Sequence, residues 1–285
     1  VSNILLGYPN YADAAALSGG DWSPTLPLTN VRTRLFGQVA RTTSADLLDT
    51  QFAVDLGAQK SIALVALTDH NLTAGAVLRV TGAADGDFLD IQYQSAWVRA
   101  WPWLGLWALE WRQPEFWSGG LSKAALAQYR PVSLVVPETK IWARYWRVEI
   151  SDTSNPDGYV QIGRLYLCDG YRPETNISYG RGLGYESRTI QAQATSGAKF
   201  FERRQPVRVL QAELDWMSEG EAYERVMQMQ RALDTSEEVF YVEKPSEPSS
   251  YLQRAFPACF RKLSPIAWPH FASHRTPIEL EELIG

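Results

Sequence analysis

The sequence predicts a mainly all-β chain of two domains, for three reasons. Most of it alternates apolar and polar residues at period two, the strand candidates are short and bounded by Gly, Pro, Asn and Asp turn formers, and 285 residues is about two domains' length. Many short strands with such turns suit a sandwich or barrel.

Taken in order, the N-terminus Val1 to Gly7 has no basic region, and its apolar run is too short for a signal peptide. No apolar stretch approaches the roughly 20 residues that span a bilayer, so the expectation is synthesis in a cytoplasm without membrane insertion. Gln51 to Leu56 sets Phe52, Val54 and Leu56 against Gln51, Ala53 and Asp55, and Gly57-Ala58 then turns into Ile62 to Leu67, a candidate buried strand. Val77 to Thr81 continues the sheet. Arg144 to Ser151 puts Tyr145, Arg147 and Glu149 on one face and Trp146, Val148 and Ile150 on the other. After the turn signal Asn155-Pro156-Asp157-Gly158, Val160 to Leu167 reads as the returning strand of an antiparallel hairpin. Turn formers at Asp169 to Pro173 mark a boundary, giving domains 1–171 and 172–285.

Strand candidates in the second half are Arg188 to Ala194, Ala198 to Glu202, Val207 to Asp215, Glu238 to Glu243, Ala255 to Lys262 and Pro277 to Leu283. Ser218-Glu219-Gly220-Glu221 is a capping-box sequence. Ala222, Val226, Met229 and Leu233 follow on one helical face, so a helix is predicted over 218–233. The second half therefore reads as a β-sandwich with one amphipathic helix, and Pro245 to Ser250 as a polar loop.

Six of the eleven Trp, namely Trp97, Trp101, Trp103, Trp107, Trp111 and Trp117, fall in an insertion at about 95–131 that also carries Pro102, Pro114 and Gly119-Gly120. Such a segment exceeds ordinary connection lengths, and its aromatics argue against disorder. Subunit contact, a self-packed loop and sugar stacking compete for it, so the six Trp are interface or ligand-contact candidates.

Catalytic and metal-ligating side chains are scarce: three His, two Cys and three Met. No GxSxG elbow stands beside His70, His270 or His274, and Asp69-His70-Asn71 is better read as a structural histidine cluster. His270 and His274 lack an HExxH carboxylate. Gly180 to Gly184 looks like a phosphate loop but opens no helix. Paired glycosidase carboxylates cannot be recognised from spacing. Asp85, Asp87 and Asp90 offer calcium-type oxygens on a turn without the twelve-residue loop pattern. Cys168 and Cys259 form no CxxC and read as free thiols, and the sequons at Asn71 and Asn176 lack a secretory context. A net charge of −5 with scattered cations gives no nucleic-acid footprint. The expectation is a protein that is not an enzyme and needs no cofactor.

Two stretches carry a resemblance. Asp55-Leu56-Gly57, Ala143 to Ile150 and Val160 to Leu167 together resemble the discoidin or galactose-binding-like jelly roll over about residues 40 to 168, a family in which the strand matching Ala143 to Ile150 pairs with the last one. The family's usual ligand loops are not recognisable, and the Trp-rich insertion is foreign to it. Across the whole chain, Asn3 to Pro9, Leu17 to Trp22, Leu26 to Asn30, His70-Asn71-Leu72, Trp101-Pro102-Trp103 and Pro277 to Glu282 look like a family of tail proteins of long-tailed bacteriophages.

That second resemblance implies a virion structural protein of the tail tip or baseplate, a distal-tail-like subunit linking the tail tube to the adsorption apparatus. Its partners would be other tail proteins and further copies in a homo-oligomeric ring, with residues 172–285 forming the ring. The alternative is a host-glycan-binding module, and after it a glycan hydrolase.

Overall fold

The computed structural model describes residues 3–102, 111, 126 and 129–284. It divides into two compact units, one reaching to Tyr171 and including Phe240–Phe256, the other comprising Arg172–Val239 and Pro257–Ile284.

The first unit is a β-sandwich of the jelly-roll kind. One antiparallel sheet runs in the order Ala16–Ser18, Phe52–Ile62, Ile141–Ser151, Val77–Ala83 and Ile91–Gln94, with Val98–Arg99 also on Val77–Ala83. The other contains Leu5–Asn10, Arg164–Tyr171, Leu64–Thr68 and Val132–Val135 in that order, with Val239–Val242 outside Leu5–Asn10. Alternation turns Phe52, Val54, Leu78, Val80, Trp146, Val148 and Ile150 inward to meet Val65, Leu67, Leu165 and Leu167 in one buried cluster. Trp146 fits because of Gly82, where a Cβ would lie 3.0 Å from the indole.

The expected buried strand Ile62 to Leu67 is split: Ile62 ends Phe52–Ile62 in one sheet, and Leu64–Thr68, buried throughout, lies in the other. The burial comes from a second cluster on the outer face of its sheet, where Leu64, Ala66, Tyr166 and Cys168 meet Phe240, Val242, Tyr251 and Ala255. Each large side chain buried there contributes about 1.5–3 kcal/mol. This corrects the expected domain 172–285, because residues 240–256 return to cover the first unit.

Two further expectations are corrected. Ile141–Ser151 and Arg164–Tyr171 belong to opposite sheets and form no hairpin. The turn at 155–158 is present, closed by Gly158 N–H on the Asn155 carbonyl (3.0 Å) with Gly158 at φ +73°, but it carries the chain across the sandwich. Asp55-Leu56-Gly57 does not close a strand. The strand runs on to Ile62 through an irregularity in which Asp55 accepts the Gly57 N–H (2.8 Å) and grips Arg144 at 2.8 and 2.9 Å.

In the second unit an antiparallel sheet runs Gly182–Glu186, Val207–Met217, Ser273–Glu282 and Ala255–Lys262, and Ala267–His270 folds back on Ser273–Glu282. The predicted helix is a π-helical stretch, Glu221–Val226, continuing into an α-helix, Met227–Leu233, and Ala222, Val226, Met229 and Leu233 are its buried face. Ser218 Oγ accepts the Glu221 N–H (3.2 Å) as a capping box requires, while the Glu221 carboxylate accepts the Glu174 N–H (2.9 Å). Cys168 and Cys259 are free thiols, and burial raises the Cys259 pKa.

The sheet holds a buried ion pair. Arg208 Nε donates to Glu282 Oε2 at 2.8 Å, the Arg208 backbone N–H donates to the same oxygen at 3.1 Å, and both side chains are at most 6% exposed. Glu282→Gln leaves the guanidinium buried without its counter-charge. It should cost about 3–5 kcal/mol in denaturant unfolding of this unit, whereas Lys262→Ala, at the exposed Lys262–Glu279 pair, should cost less than about 1 kcal/mol.

Candidate functional site

Three connections of the first unit, with Trp101, line a cleft of about 460 Å³. His70, Asn71, Leu72, Thr73 and Ala74 follow the strand Leu64–Thr68. Asn155, Pro156 and Asp157 follow Ile141–Ser151, and Tyr129 and Pro131 precede Val132–Val135. Asp69 takes a left-handed backbone (φ 57°) as the chain leaves its strand, held by Arg130 at 2.9 and 2.7 Å. Loops at one end of a sandwich can vary in chemistry while the sheets fix their position.

A polar lock ties the first two connections together. The buried Asp152 carboxylate accepts the Thr73 N–H (2.9 Å), the Thr73 hydroxyl (2.6 Å) and the Asn155 amide (2.9 Å). Asn155 also donates to the Asn71 carbonyl (3.2 Å). Asn71 in turn donates to Asp157 Oδ2 (3.0 Å) and the Tyr159 carbonyl (3.1 Å), and its own oxygen accepts the Gln161 N–H (2.7 Å). Buried polar groups satisfied this fully are rigid.

His70 forms the floor. Its Nδ1 accepts the Leu72 N–H (3.3 Å), so the ring proton sits on Nε2 and is donated to Ser133 Oγ (2.8 Å), which passes its own proton to the Ala100 carbonyl (2.7 Å). Burial depresses the His70 pKa to about 3, so the imidazole is neutral at physiological pH. It is a structural member of the cleft, in line with the sequence reading.

Two groups are left over for a ligand. Asp157 is exposed, and its Oδ1 has no partner among the described residues; the Tyr129 hydroxyl likewise makes no hydrogen bond among them. Trp101, Leu72, Leu126, Pro131 and Pro156 give the wall its apolar area, and no Lys or Arg is among the described residues that line it. An uncharged molecule with several hydroxyls and an apolar face suits that combination.

The predicted site residues scatter. Trp101 is buried in the cleft wall, donating its indole N–H to the Leu72 carbonyl (2.7 Å) with its ring edge-on to His70 at 5.3 Å. Trp97 lies elsewhere, over the Arg79 guanidinium (4.6 Å), which is itself clamped by Glu149 at 2.8 Å. Trp111 is 69% exposed, and Trp103, Trp107 and Trp117 lie outside the described residues.

For calcium, Asp85 is already engaged, its carboxylate accepting the backbone N–H groups of Leu89 (3.1 Å) and Asp90 (2.8 Å), which lower its pKa. Among the described residues no three His, Cys, Asp or Glu side chains are placed to hold a metal. Sequence reasoning missed Tyr129 and Asp157. The Asn155 to Gly158 turn was legible only as a turn, because its partner Asn71 is over 80 residues away.

The cleft has an acid limit. Unfolded chain takes up a proton on His70 near pH 6.5, whereas the folded chain refuses it until about pH 3, so stability falls as pH drops through that window. The slope is about 1.4 kcal/mol per pH unit, on the order of 4–5 kcal/mol in total. His70→Asn should flatten the pH dependence of denaturant unfolding by about one proton between pH 6 and 3; an unchanged slope would mean that His70 titrates normally.

No protein-family model matches the sequence, and the comparison with curated proteins found no match. Among solved structures, the family 32 carbohydrate-binding module of Clostridium perfringens NanJ in complex with galactose is 12% identical, aligning 57% of this chain with 99% of its own at a TM-score of 0.39. A Streptococcus pneumoniae fucose-binding module is 15% identical over 56% of this chain and 94% of its own, at 0.37. The lectin domain of lectinolysin complexed with Lewis B antigen is 14% identical over 58% and 98%, at 0.36. Likenesses of this size carry no functional weight.

Proposed function

We propose that the first unit is a non-catalytic glycan-recognition domain and that its ligand lies in the cleft of His70 to Thr73, Tyr129 and Asn155 to Asp157. The observation that carries this reading is the pairing of two uncommitted polar groups, Asp157 Oδ1 and the Tyr129 hydroxyl, with an apolar wall on a backbone fixed by the Asp152 lock. A sugar ring needs both halves: acceptors and donors for its hydroxyls, and an apolar surface for its C–H face. The reading rests on this geometry and not on the ligands of the similar structures. Hydrolysis is the poorer fit, since Asp157 is the one carboxylate among the described residues lining the cleft and glycosidases employ two.

A second reading, an assembly subunit of a phage tail tip working in the virion, draws on the second unit. There Tyr179, Tyr185, Phe200, Phe201, Trp216, Trp268 and Phe271 are all more than half exposed, aromatic surface that a partner subunit could cover. The two readings are compatible in one chain.

Glycan-array binding followed by calorimetry tests the first. Asp157→Ala and Tyr129→Ala should each weaken binding about tenfold or more with the melting temperature kept, and Trp142→Ala, exposed and outside the cleft, should leave it unchanged. A wild-type chain that binds no glycan, or cleft variants that bind normally, would count against it.

A further inference from the structure

Past the paired strands Gly182–Glu186 and Val207–Met217 the second unit makes a separate hairpin, Ile190–Gln193 with Lys199–Glu202. Its turn closes on itself, the Ala194 N–H donating to the Ala198 carbonyl (2.8 Å) and the Gly197 N–H, at φ +86°, to the Ala194 carbonyl (2.8 Å). Among the described residues nothing covers it, and from Ile190 to Glu202 only Ala194 is even partly buried.

The register sorts its side chains. Ile190 pairs with Glu202, Ala192 with Phe200, Gln191 with Phe201 and Gln193 with Lys199. Alternation therefore puts Ile190, Ala192 and Phe200 on one face, and Gln191, Gln193, Lys199 and Phe201 on the other. Ile190, Phe200 and Phe201 are 45–63% exposed. Glu202, at the end of the apolar face, is paired with Arg204 (2.7 Å). Lys199, and Arg203 just past the strand, make no ion pair among the described residues. Between Ser187 and Arg204 four cations stand against one carboxylate, and no residue from Thr189 to Ala198 is charged. A chain of net charge −5 thus presents here an apolar face backed by a cationic and aromatic one.

We propose that this hairpin docks the chain on the surface of an anionic lipid bilayer. It lies in the plane of the interface, with Ile190, Ala192 and Phe200 toward the acyl chains and Phe201 at headgroup depth, while Lys199 and Arg203 reach lipid phosphates. Size favours lipid over a protein partner. Four residues at about 3.3 Å each, on two strands about 4.8 Å apart, give a face of roughly 100–150 Å², far short of the ~800 Å² per partner that a stable protein interface takes. A bilayer needs no shape-matched surface. It takes a modest apolar face with cations set near its phosphates, and aromatic rings suit the headgroup level. At about 13 Å the hairpin is too short to cross a hydrocarbon core of roughly 30 Å, so the attachment is peripheral and reversible.

Co-sedimentation of the full chain with vesicles tests this. Wild type should sediment with vesicles of phosphatidylglycerol and phosphatidylcholine in about equal parts, and about tenfold less or lower with phosphatidylcholine alone; added salt should release it. Phe200→Asp/Phe201→Asp and Lys199→Glu/Arg203→Glu should each weaken binding about tenfold or more with circular dichroism unchanged. Trp216→Ala, at an exposed aromatic outside the hairpin, should bind as wild type does. Should the aspartate variant misfold, single tryptophans read the geometry: with acyl-chain-brominated lipid, the emission added by Phe200→Trp should be quenched more strongly than that added by Phe201→Trp. A wild type that ignores anionic vesicles, hairpin variants that bind normally, or no quenching at residue 200 would overturn the proposal. So would a hairpin occupied by a second copy of the chain, seen as an oligomer that Phe200→Asp/Phe201→Asp dissolves and that does not bind vesicles. These vesicles carry no sugar, so the outcome is independent of the glycan reading of the first unit.

Discussion

The cleft depends on one buried carboxylate. Asp152 is 3% exposed and accepts three hydrogen bonds, two from Thr73 and one from Asn155. Through them the connection after Leu64–Thr68 and the connection after Ile141–Ser151 become one body, although their strands lie in opposite sheets. Asn71 and Asp157 take their places only because that body exists. A buried carboxylate is costly unless every lone pair it presents is used, and this one is used across the gap between two loops. Rigidity of the cleft walls, and hence a low ordering cost for any ligand, follows from it.

The neutral His70 adds the complementary constraint. It cannot serve as an acid or base at ordinary pH, because burial holds its proton affinity far below the usual range. Its two nitrogens instead join Leu72 to Ser133 and, through Ser133, to Ala100, bringing the third wall into the same network. What remains chemically available among the described residues is a carboxylate oxygen, a phenol and an apolar surface. Among the described residues, that combination suits recognition of a ligand.

Much of this was legible in the sequence, and the limits of legibility have physical causes. The alternation of Trp146, Val148 and Ile150 with Tyr145 and Arg147 fixed an inward face, and the 222, 226, 229, 233 spacing fixed the buried face of the helix. Asn155 to Gly158 announced a reversal, but turn residues do not say which sheet receives the next strand, so a hairpin was expected where the chain crosses the sandwich. Val239–Val242 announced burial but not by which unit. The pairing of Asn71 with Asp157 depends on topology alone, since nothing local in either segment points to the other. Tryptophan clustering gave a place and mixed several roles: Trp101 supports the cleft, while Trp97 caps an Arg79–Glu149 clamp.

The central claim is that this fixed cleft holds a sugar. Amide chemical-shift mapping of the labelled chain, titrated with neutral oligosaccharides, tests it most directly. The account predicts saturable shifts concentrated at Asn71, Leu72, Thr73, Tyr129 and Asp157, with the strands of the second unit unmoved. Saturable shifts centred on another surface, or none with any neutral sugar, would contradict it.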